Sequence, residues 1–170
     1  MTPPKMVLEE LLLRSEIDRF NADYAALLDT GDFTRWPDCF AADGLYRVIG
    51  RENHEAGLPL CIMQLEGHGM MRDRVYGISN TLFHAPYYQR HVIGTARLLG
   101  TETGEVLAEA NYAVFRTRPG AGMAGGVSEV FNVGRYIDRF RCQEDGRLLL
   151  SRRDCVFDSE MILNSLIYPI

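Results

Sequence analysis

The chain has 170 residues, which suits one ordinary domain and is too short for two. Hydrophobic residues make up 46% and charged residues 24%, the composition of a globular protein with a sizeable core. A net charge of -5 argues against a nucleic-acid partner, and no stretch approaches the ~20 apolar residues of a membrane helix. Acidic residues stand where a signal peptide would be apolar, so we predict a cytoplasmic protein with no membrane association.

The N-terminal third predicts two helices. One apolar stripe at steps of three and four predicts a long helix over residues 7–29: Leu13, Ile17, Phe20, Tyr24 and Leu27. Gly31 fits the residue just beyond its end, where a left-handed conformation is needed. A short helix over residues 34–40 should follow, capped by Asp32 or Thr34, with Trp36 pointing inward. Residues 1–6 are expected to form a disordered extension.

After Asp43 the pattern favours strands. We predict strands over residues 45–49, 88–99, 106–114, 127–140 and 148–157, with a bend at Gly94. Residues 51–59 are expected to be a loop, residues 60–78 mainly helical, and residues 118–126 a flexible Gly-rich hairpin loop. Helices followed by long antiparallel strands predict a single α+β domain over residues 1–170. A strongly curved sheet wrapped on the long helix would leave a conical interior.

The residues needed for metal and nucleotide chemistry are missing. A Rieske cluster needs a His two positions after a Cys, whereas the residues two after Cys39, Cys61, Cys142 and Cys155 are Ala, Met, Glu and Phe. The four histidines lack the spacing of a ligand pair for mononuclear iron: His54, His68, His84 and His91. The Gly-rich loop lacks the Lys-Ser/Thr ending of a phosphate loop. We therefore predict no catalytic, cofactor-binding or metal-binding residues, and cysteines that act as small buried side chains without disulfides.

Acid–base chemistry is the alternative that the sequence leaves open. A cone-shaped domain of this size can bind a small molecule inside, where a buried Asp, Tyr or His could move a proton. The chain would then be a stand-alone isomerase or dehydratase. The candidate residues are Tyr24, Tyr46, Asp73, His91 and Tyr112.

Several segments together resemble the β subunits of aromatic-ring-hydroxylating dioxygenases. They are Asp29-x-x-Asp32-x-x-x-Trp36-x-x-x-Phe40, Tyr46-Arg47-Val48, Arg51-Glu52-Asn53, Arg72-Asp73-Arg74-Val75-Tyr76, Gln89-Arg90-His91, and the closing run from Arg153 to Ile170. Within that family, residues 51–60 and 86–91 are most similar to the small oxygenase subunit of salicylate 5-hydroxylase. The similarity covers nearly the whole chain. It consists of ordinary residues and indicates a lineage more than a substrate.

The resemblance implies a nuclear-transport-factor-2-like cone and an assembly of three α and three β subunits. The α subunit would carry the Rieske 2Fe-2S cluster and the mononuclear Fe(II), with NAD(P)H electrons from a separate reductase. This chain would assemble with α, associate with itself as a trimer, and take no part in catalysis. The oxygenase would act on an aromatic carboxylic acid like salicylate. The predicted contact residues are Arg72, Asp73, Arg74, Phe131, Arg135, Tyr168, Pro169 and Ile170.

Overall fold

A long N-terminal helix packs against one mixed sheet. The computed structural model describes residues 5–120, 126–159 and 166–170, with side chains from Val7 onward. The helices are α1 (Lys5–Thr30), a 3₁₀ helix (Phe33–Cys39), α2 (Arg51–Glu55) and α3 (Gly67–Asn80). The strands are β1 (Phe40–Gly50), β2 (Met63–Glu66), β3 (Tyr88–Ile93), β4 (Arg97–Glu102), β5 (Glu105–Thr117), β6 (Ser128–Cys142) and β7 (Leu148–Phe157).

The sheet is mainly antiparallel and follows the order β2-β1-β7-β6-β5-β3. Strands β3 and β4 pair with different halves of β5. Only β1 and β7 are parallel among the described strand pairs. The helices pack against this sheet, so the predicted α+β class and the nuclear-transport-factor-2-like cone are confirmed.

Two close approaches of the backbone bend the sheet. A Cβ atom on Gly134 of β6 would overlap the Val156 carbonyl oxygen of β7 and lie 2.8 Å from Phe157 Cα. In β1, a Cβ atom on Gly44 would lie 2.9 Å from the Ala41 carbonyl oxygen. Glycine is therefore needed at both positions because any side chain would push the backbones apart. Gly44 lies where the register between β1 and β7 shifts, which is the irregularity expected at a bend.

The apolar stripe of α1 forms one wall of this interior, as predicted. Ile17, Tyr24 and Leu28 are at most 1% exposed. Three other members of the stripe pack partly buried beside them: Leu13, Phe20 and Leu27. Trp36 in the 3₁₀ helix is fully buried and its Nε1 donates a hydrogen bond to the Tyr24 hydroxyl at 3.1 Å. The helix ends at Thr30, and Gly31 has the predicted positive φ, 77°.

Three predicted boundaries differ from the structure. Helix α1 begins at Lys5, while residues 1–4 of the expected extension lie outside the described residues. The expected loop over residues 51–59 contains α2, whose five residues are too few to show a helical period. The stretch expected to be helical over residues 60–78 is divided into β2 and α3. In β2, Met63 and Leu65 are buried and alternate with polar residues. This period of two extends over only four residues, which is too short to be recognised from the sequence.

The other predicted strands form, but β1 begins at Phe40 and the run predicted over residues 88–99 is divided into β3 and β4. Strand β7 has the predicted bounds, and β5 buries the predicted alternate side chains from Ala108 to Val114. Gly94 separates β3 from β4, as the predicted bend required. The Gly-rich connection joins β5 to β6, and the Gly126 amide donates to the Arg118 carbonyl oxygen at 3.0 Å. Residues 121–125 of that connection lie outside the described residues.

Candidate functional site

The interior of the cone is occupied by the C-terminal segment of the chain. Ile170 has no exposed surface, and its backbone oxygen accepts hydrogen bonds from the Tyr24 and Tyr46 hydroxyls, both at 3.1 Å. The Pro169 carbonyl oxygen accepts a hydrogen bond from Gln89 Nε2 at 3.2 Å. The place where a cone-shaped enzyme would hold a substrate is therefore filled by the protein itself.

Helix α3 and an aromatic cluster fix the same segment on its outer side. Arg74 Nη2 donates to the carbonyl oxygens of Leu166 and Ile167 at 2.6 and 2.7 Å. The Tyr168 ring packs against Phe33 at 4.8 Å and against Tyr87 at 4.4 Å between ring centroids. These contacts come from α3, the 3₁₀ helix and the connection before β3, so the segment is part of the fold.

A buried ion pair lies beneath the segment. Arg153 of β7 is fully buried and binds Asp138 of β6 through Nε and Nη2, at 2.9 and 2.8 Å. Asn21 Oδ1 accepts from Arg153 Nη2 at 2.6 Å, and the guanidinium lies between the Tyr24 and Tyr136 rings, 4.2 and 4.1 Å from their centroids. Burial disfavours the charged guanidinium, but the nearby Asp138 carboxylate outweighs this and raises the pKa of Arg153.

The tyrosine candidates for acid–base chemistry are buried in the core. Tyr24 and Tyr46 bind Ile170, and the Tyr112 hydroxyl donates to Asn132 Oδ1 at 2.7 Å. Burial raises the pKa of all three phenols, well above the ordinary value for Tyr46 and Tyr112. A phenol that resists ionisation is a poor base near neutral pH. Asp73 lies exposed on α3, so the hypothesis of a cavity Asp at this position is wrong.

His91 forms the one carboxylate–histidine pair among the acid–base candidates in the described residues. Its Nδ1 donates to Asp29 Oδ1 at 2.6 Å, and its backbone amide donates to both Asp29 oxygens at 3.1 Å. The pair joins the end of α1 to the edge strand β3. The His91 side chain is 0% exposed, and its Nε2 has no hydrogen-bond partner within the described residues. A substrate could reach this nitrogen only if α1 moved away from β3.

The remaining histidines and the cysteines are dispersed. His68 Nε2 donates to the Phe40 carbonyl oxygen at 2.9 Å, while His84 binds the Leu82 carbonyl oxygen and the Tyr168 hydroxyl. Cys155 is buried, Cys39 and Cys61 are half-buried, and Cys142 is exposed, unlike the buried side chain predicted for it. In the described part of the chain, no three His, Cys, Asp or Glu side chains are grouped so that they could hold a metal ion.

Comparison with known proteins assigns the family. The family model for the SnoaL-like domain matches residues 9–154. The chain is 30% identical to the β 1 subunit of the terminal oxygenase component of terephthalate 1,2-dioxygenase from Comamonas sp, over 91% of this chain and 97% of that protein. The chain belongs to the SnoaL-like family and, within it, to the small subunits of aromatic-ring-hydroxylating dioxygenases.

Further similarities agree with this family. The anthranilate 1,2-dioxygenase small subunit from Burkholderia cepacia is 28% identical over 95% of this chain and 97% of its own length. A solved β subunit from Novosphingobium aromaticivorans, assigned to an aromatic-ring-hydroxylating dioxygenase, is 38% identical with a TM-score of 0.83. The aligned region spans 95% of this chain and 99% of the Novosphingobium subunit. Among the described residues of this small subunit, no helix is long and apolar enough to cross a membrane.

The structure separates the predicted contact residues of the small subunit into two groups. Five are engaged within the fold. Ile170 and Pro169 are buried, so the prediction that their side chains contact another subunit is wrong. Arg74, Tyr168 and Phe131 are half-buried and serve the C-terminal segment or the adjoining aromatic cluster. The sequence alone does not distinguish burial within the chain from contact with another subunit, because an apolar segment is compatible with both.

The other three predicted contact residues remain available at the surface. Arg72 and Asp73 are exposed on α3, and Arg135 is half-buried on the outer face of β6. None of the three has an ion pair or hydrogen bond to another described side chain. Arg135 lies beside Val156 of β7 and Asn111 of β5 in the register of the sheet. Arg135 is therefore a cation without a partner among the described residues, next to the fully buried Val156.

Exposed apolar side chains continue this outer face. Val92 of β3, Ala113 of β5 and Val133 of β6 form one row across the sheet, with Val92 57% exposed. Arg90, Phe115 and Val130 form the next row, and Val130 is 61% exposed. Exposed valines in two neighbouring rows, with Arg90 at the edge, are typical of a surface that contacts another protein.

Two features of the small subunit were missed by sequence reasoning. Asp29 was noted only within a motif, and its pairing with His91 depends on a residue 62 positions away. Phe83, which is completely exposed, lies in the connection between α3 and β3. Phe83 lies between Leu82 and His84 in a stretch without helix or strand periodicity, so its exposure could be read only from the structure.

Proposed function

We propose that this chain is the structural, non-catalytic small subunit of a Rieske-type ring-hydroxylating oxygenase. It would bind the catalytic large subunit in an assembly of three large and three small subunits, with small subunits also contacting each other. The Rieske 2Fe-2S cluster and the mononuclear Fe(II) would lie in the large subunit, with NAD(P)H electrons from a separate reductase. The assembly would work in the cytoplasm.

The observation that carries the proposal is the filled interior. Ile170 occupies the space between Tyr24 and Tyr46, and Arg153 fills the layer beneath with its charge neutralised by Asp138. A substrate would have to displace a segment held by Arg74, Gln89 and three tyrosines. The outer sheet face, in contrast, leaves Arg135 without an ion pair or hydrogen bond in the described chain and exposes Val92, Val130 and Val133.

We propose an aromatic carboxylic acid as the substrate class of the whole oxygenase. Two similar small subunits belong to enzymes named for anthranilate and terephthalate, both aromatic carboxylates. Salicylate, suggested by the runs at residues 51–60 and 86–91, belongs to the same class. The large subunit would choose among these acids because the reacting atoms would be bound there.

Reconstitution with the large subunit tests the proposal. The small subunit purified alone should contain no stoichiometric iron and should not turn over an aromatic acid. Addition of the large subunit should give one complex of defined mass with oxygenase activity. Stoichiometric iron in the isolated chain, or a large subunit that is equally stable and active without it, would contradict the proposal.

The acid–base alternative receives limited support from the Asp29–His91 pair. A small-molecule isomerase would need His91 Nε2 to reach a substrate, yet this side chain is 0% exposed. A His91→Gln variant should therefore leave every activity of the assembled oxygenase unchanged. If the isolated chain isomerised or dehydrated a small molecule and this variant abolished that activity, the alternative would replace our proposal.

A further inference from the structure

A surface pocket lies beside the C-terminal segment at one corner of the fold. It is bounded by the connection from α3 to β3, the end of β5 and Ile167, and encloses about 620 Å³. We call it the arginine–aromatic pocket. It is defined by Phe83, His84, Tyr87, Arg116, Arg118 and Ile167.

Phe83 is held in an exposed position by its fixed neighbours. Its side chain is 100% exposed. On one side, the Leu82 amide donates to the Gly77 carbonyl oxygen at 2.8 Å. On the other side, His84 Nδ1 donates to the Leu82 carbonyl oxygen at 3.1 Å, and its Nε2 lies 2.7 Å from the Tyr168 hydroxyl. An exposed aromatic side chain is suited to bury its surface against a partner.

The pocket carries one uncompensated positive charge. Arg116 Nη2 and Arg118 Nη2 both approach Glu129 Oε1, at 2.7 and 3.7 Å. Arg116 is buried, packs over the Phe131 ring at 4.4 Å, and uses Glu129 as its own partner. Arg118 is 52% exposed and lies farther from the shared carboxylate. It is therefore the cation that can accept a second carboxylate.

Exposed apolar surface lies next to the pocket. Tyr88 follows Tyr87 and is 66% exposed, while Val130 follows Glu129 and is 61% exposed. Arg90 joins this surface in the same row as Val130. An aromatic side chain and an arginine at the edge of an apolar surface are the residue types that carry most binding energy in protein interfaces.

We propose that the arginine–aromatic pocket binds an acidic segment of the catalytic large subunit. Phe83 would pack against an apolar side chain of that segment, and Arg118 would pair with one of its carboxylates. This inference rests on the proposed function, since the large subunit is the partner that a small dioxygenase subunit requires. The pocket is locally positive although the chain has a net charge of -5. The pocket would therefore attract an acidic segment.

Binding measurements on folded variants test the pocket. Phe83→Ser and Arg118→Gln would be compared with wild type in titrations against the purified large subunit at several salt concentrations. Leu60→Ser and Arg147→Gln serve as controls because both side chains are exposed, each at 72%, and lie outside the pocket. Phe83→Ser should weaken binding about tenfold or more, and Arg118→Gln should weaken it and reduce its salt dependence. The controls should bind within about twofold of wild type.

Three outcomes would overturn the inference, and they are distinguishable. If wild type binds the large subunit and both pocket variants bind equally well, the pocket assignment is wrong while the proposed function stands. If wild type does not bind at all, the proposed function fails first and the pocket assignment with it. If the variants reduce self-association of the isolated small subunit and leave large-subunit binding unchanged, the pocket accepts a second copy of this chain.

Discussion

The Tyr46 hydroxyl donates a hydrogen bond to the Ile170 backbone oxygen at 3.1 Å and accepts one from the Ile170 amide at 2.9 Å. One side chain of β1 thus satisfies both backbone groups of a residue 124 positions later. Without this hydroxyl the buried Ile170 amide would lose its partner, while the oxygen would keep the bonds from the Tyr24 hydroxyl and from Cys155 Sγ at 3.4 Å. The contact explains how an apolar segment without regular structure can be a fixed part of the core.

Tyr46→Phe should therefore lower the free energy of unfolding by about 1–3 kcal/mol. The ring remains, so packing against Trp36 is preserved and the loss reports the two hydrogen bonds. Tyr88→Phe is the matched control, since Tyr88 is 66% exposed and makes no hydrogen bond within the described chain. Urea denaturation of both variants checks the prediction. Equal stability of Tyr46→Phe and wild type would mean that Ile170 does not occupy the interior in solution.

Sequence reasoning succeeded where a pattern extends over many residues. The stripe of α1 and the alternation of β5 repeat often enough to predict the type of each element and its bounds to within three residues. It failed for β2, where only Met63 and Leu65 carry the period. It also failed for Ile170, because composition marks a side chain as apolar but does not say which surface will cover it. Contacts between distant residues, such as Asp29 with His91, leave no local pattern at all.

Gly134 should tolerate no side chain. A Cβ atom there would overlap the Val156 carbonyl oxygen, so Gly134→Ala must separate β6 from β7 and should cost at least about 1–3 kcal/mol. Gly69→Ala is the control, because nothing lies within 4 Å of its Cβ position and it lies in α3. That variant should be unchanged or more stable by up to about 1 kcal/mol. Thermal denaturation of the pair measures the difference, and equal melting temperatures would argue against the sharp bend.

Removing one partner of the Arg153–Asp138 pair should lower the free energy of unfolding more than removing both partners. Arg153→Met leaves the Asp138 carboxylate buried without its cation and should destabilise the fold by about 3–5 kcal/mol. The double variant Arg153→Met/Asp138→Leu removes both charges and should recover part of that loss. Arg147→Met, at a 72% exposed position, should change stability by less than about 0.5 kcal/mol. A double variant no more stable than Arg153→Met would show that burial of the charge is not the main cost.

Asp154 should make the fold sensitive to acid. Burial opposes ionisation of its carboxylate, but hydrogen bonds from Arg47 and Arg152 on the outer sheet face prevail and lower its pKa in the folded chain. A carboxyl group with a lowered folded pKa stabilises the fold above its unfolded pKa, about 3.9, and this contribution is lost as the pH falls through the folded value. Asp154→Asn should therefore be less stable than wild type at pH 7. The difference should shrink below about pH 4 in urea denaturation series, whereas a constant difference would contradict the assignment.

Arg135 should contribute to assembly and not to folding. Its guanidinium has no partner in the described chain and lies on the outer face between Val133 and Ile137 of β6. Arg135→Gln should leave the unfolding free energy within about 0.5 kcal/mol of wild type, because no intramolecular bond is lost. The same change should weaken self-association or large-subunit binding, measured by sedimentation at low micromolar concentration. Arg97→Gln is the matched control, since Arg97 is already paired with Glu109 on the same sheet. If Arg135→Gln destabilised the monomer while assembly stayed unchanged, the outer face around β6 would not be an interface, and the contact surface would have to be sought at α3 or at the arginine–aromatic pocket.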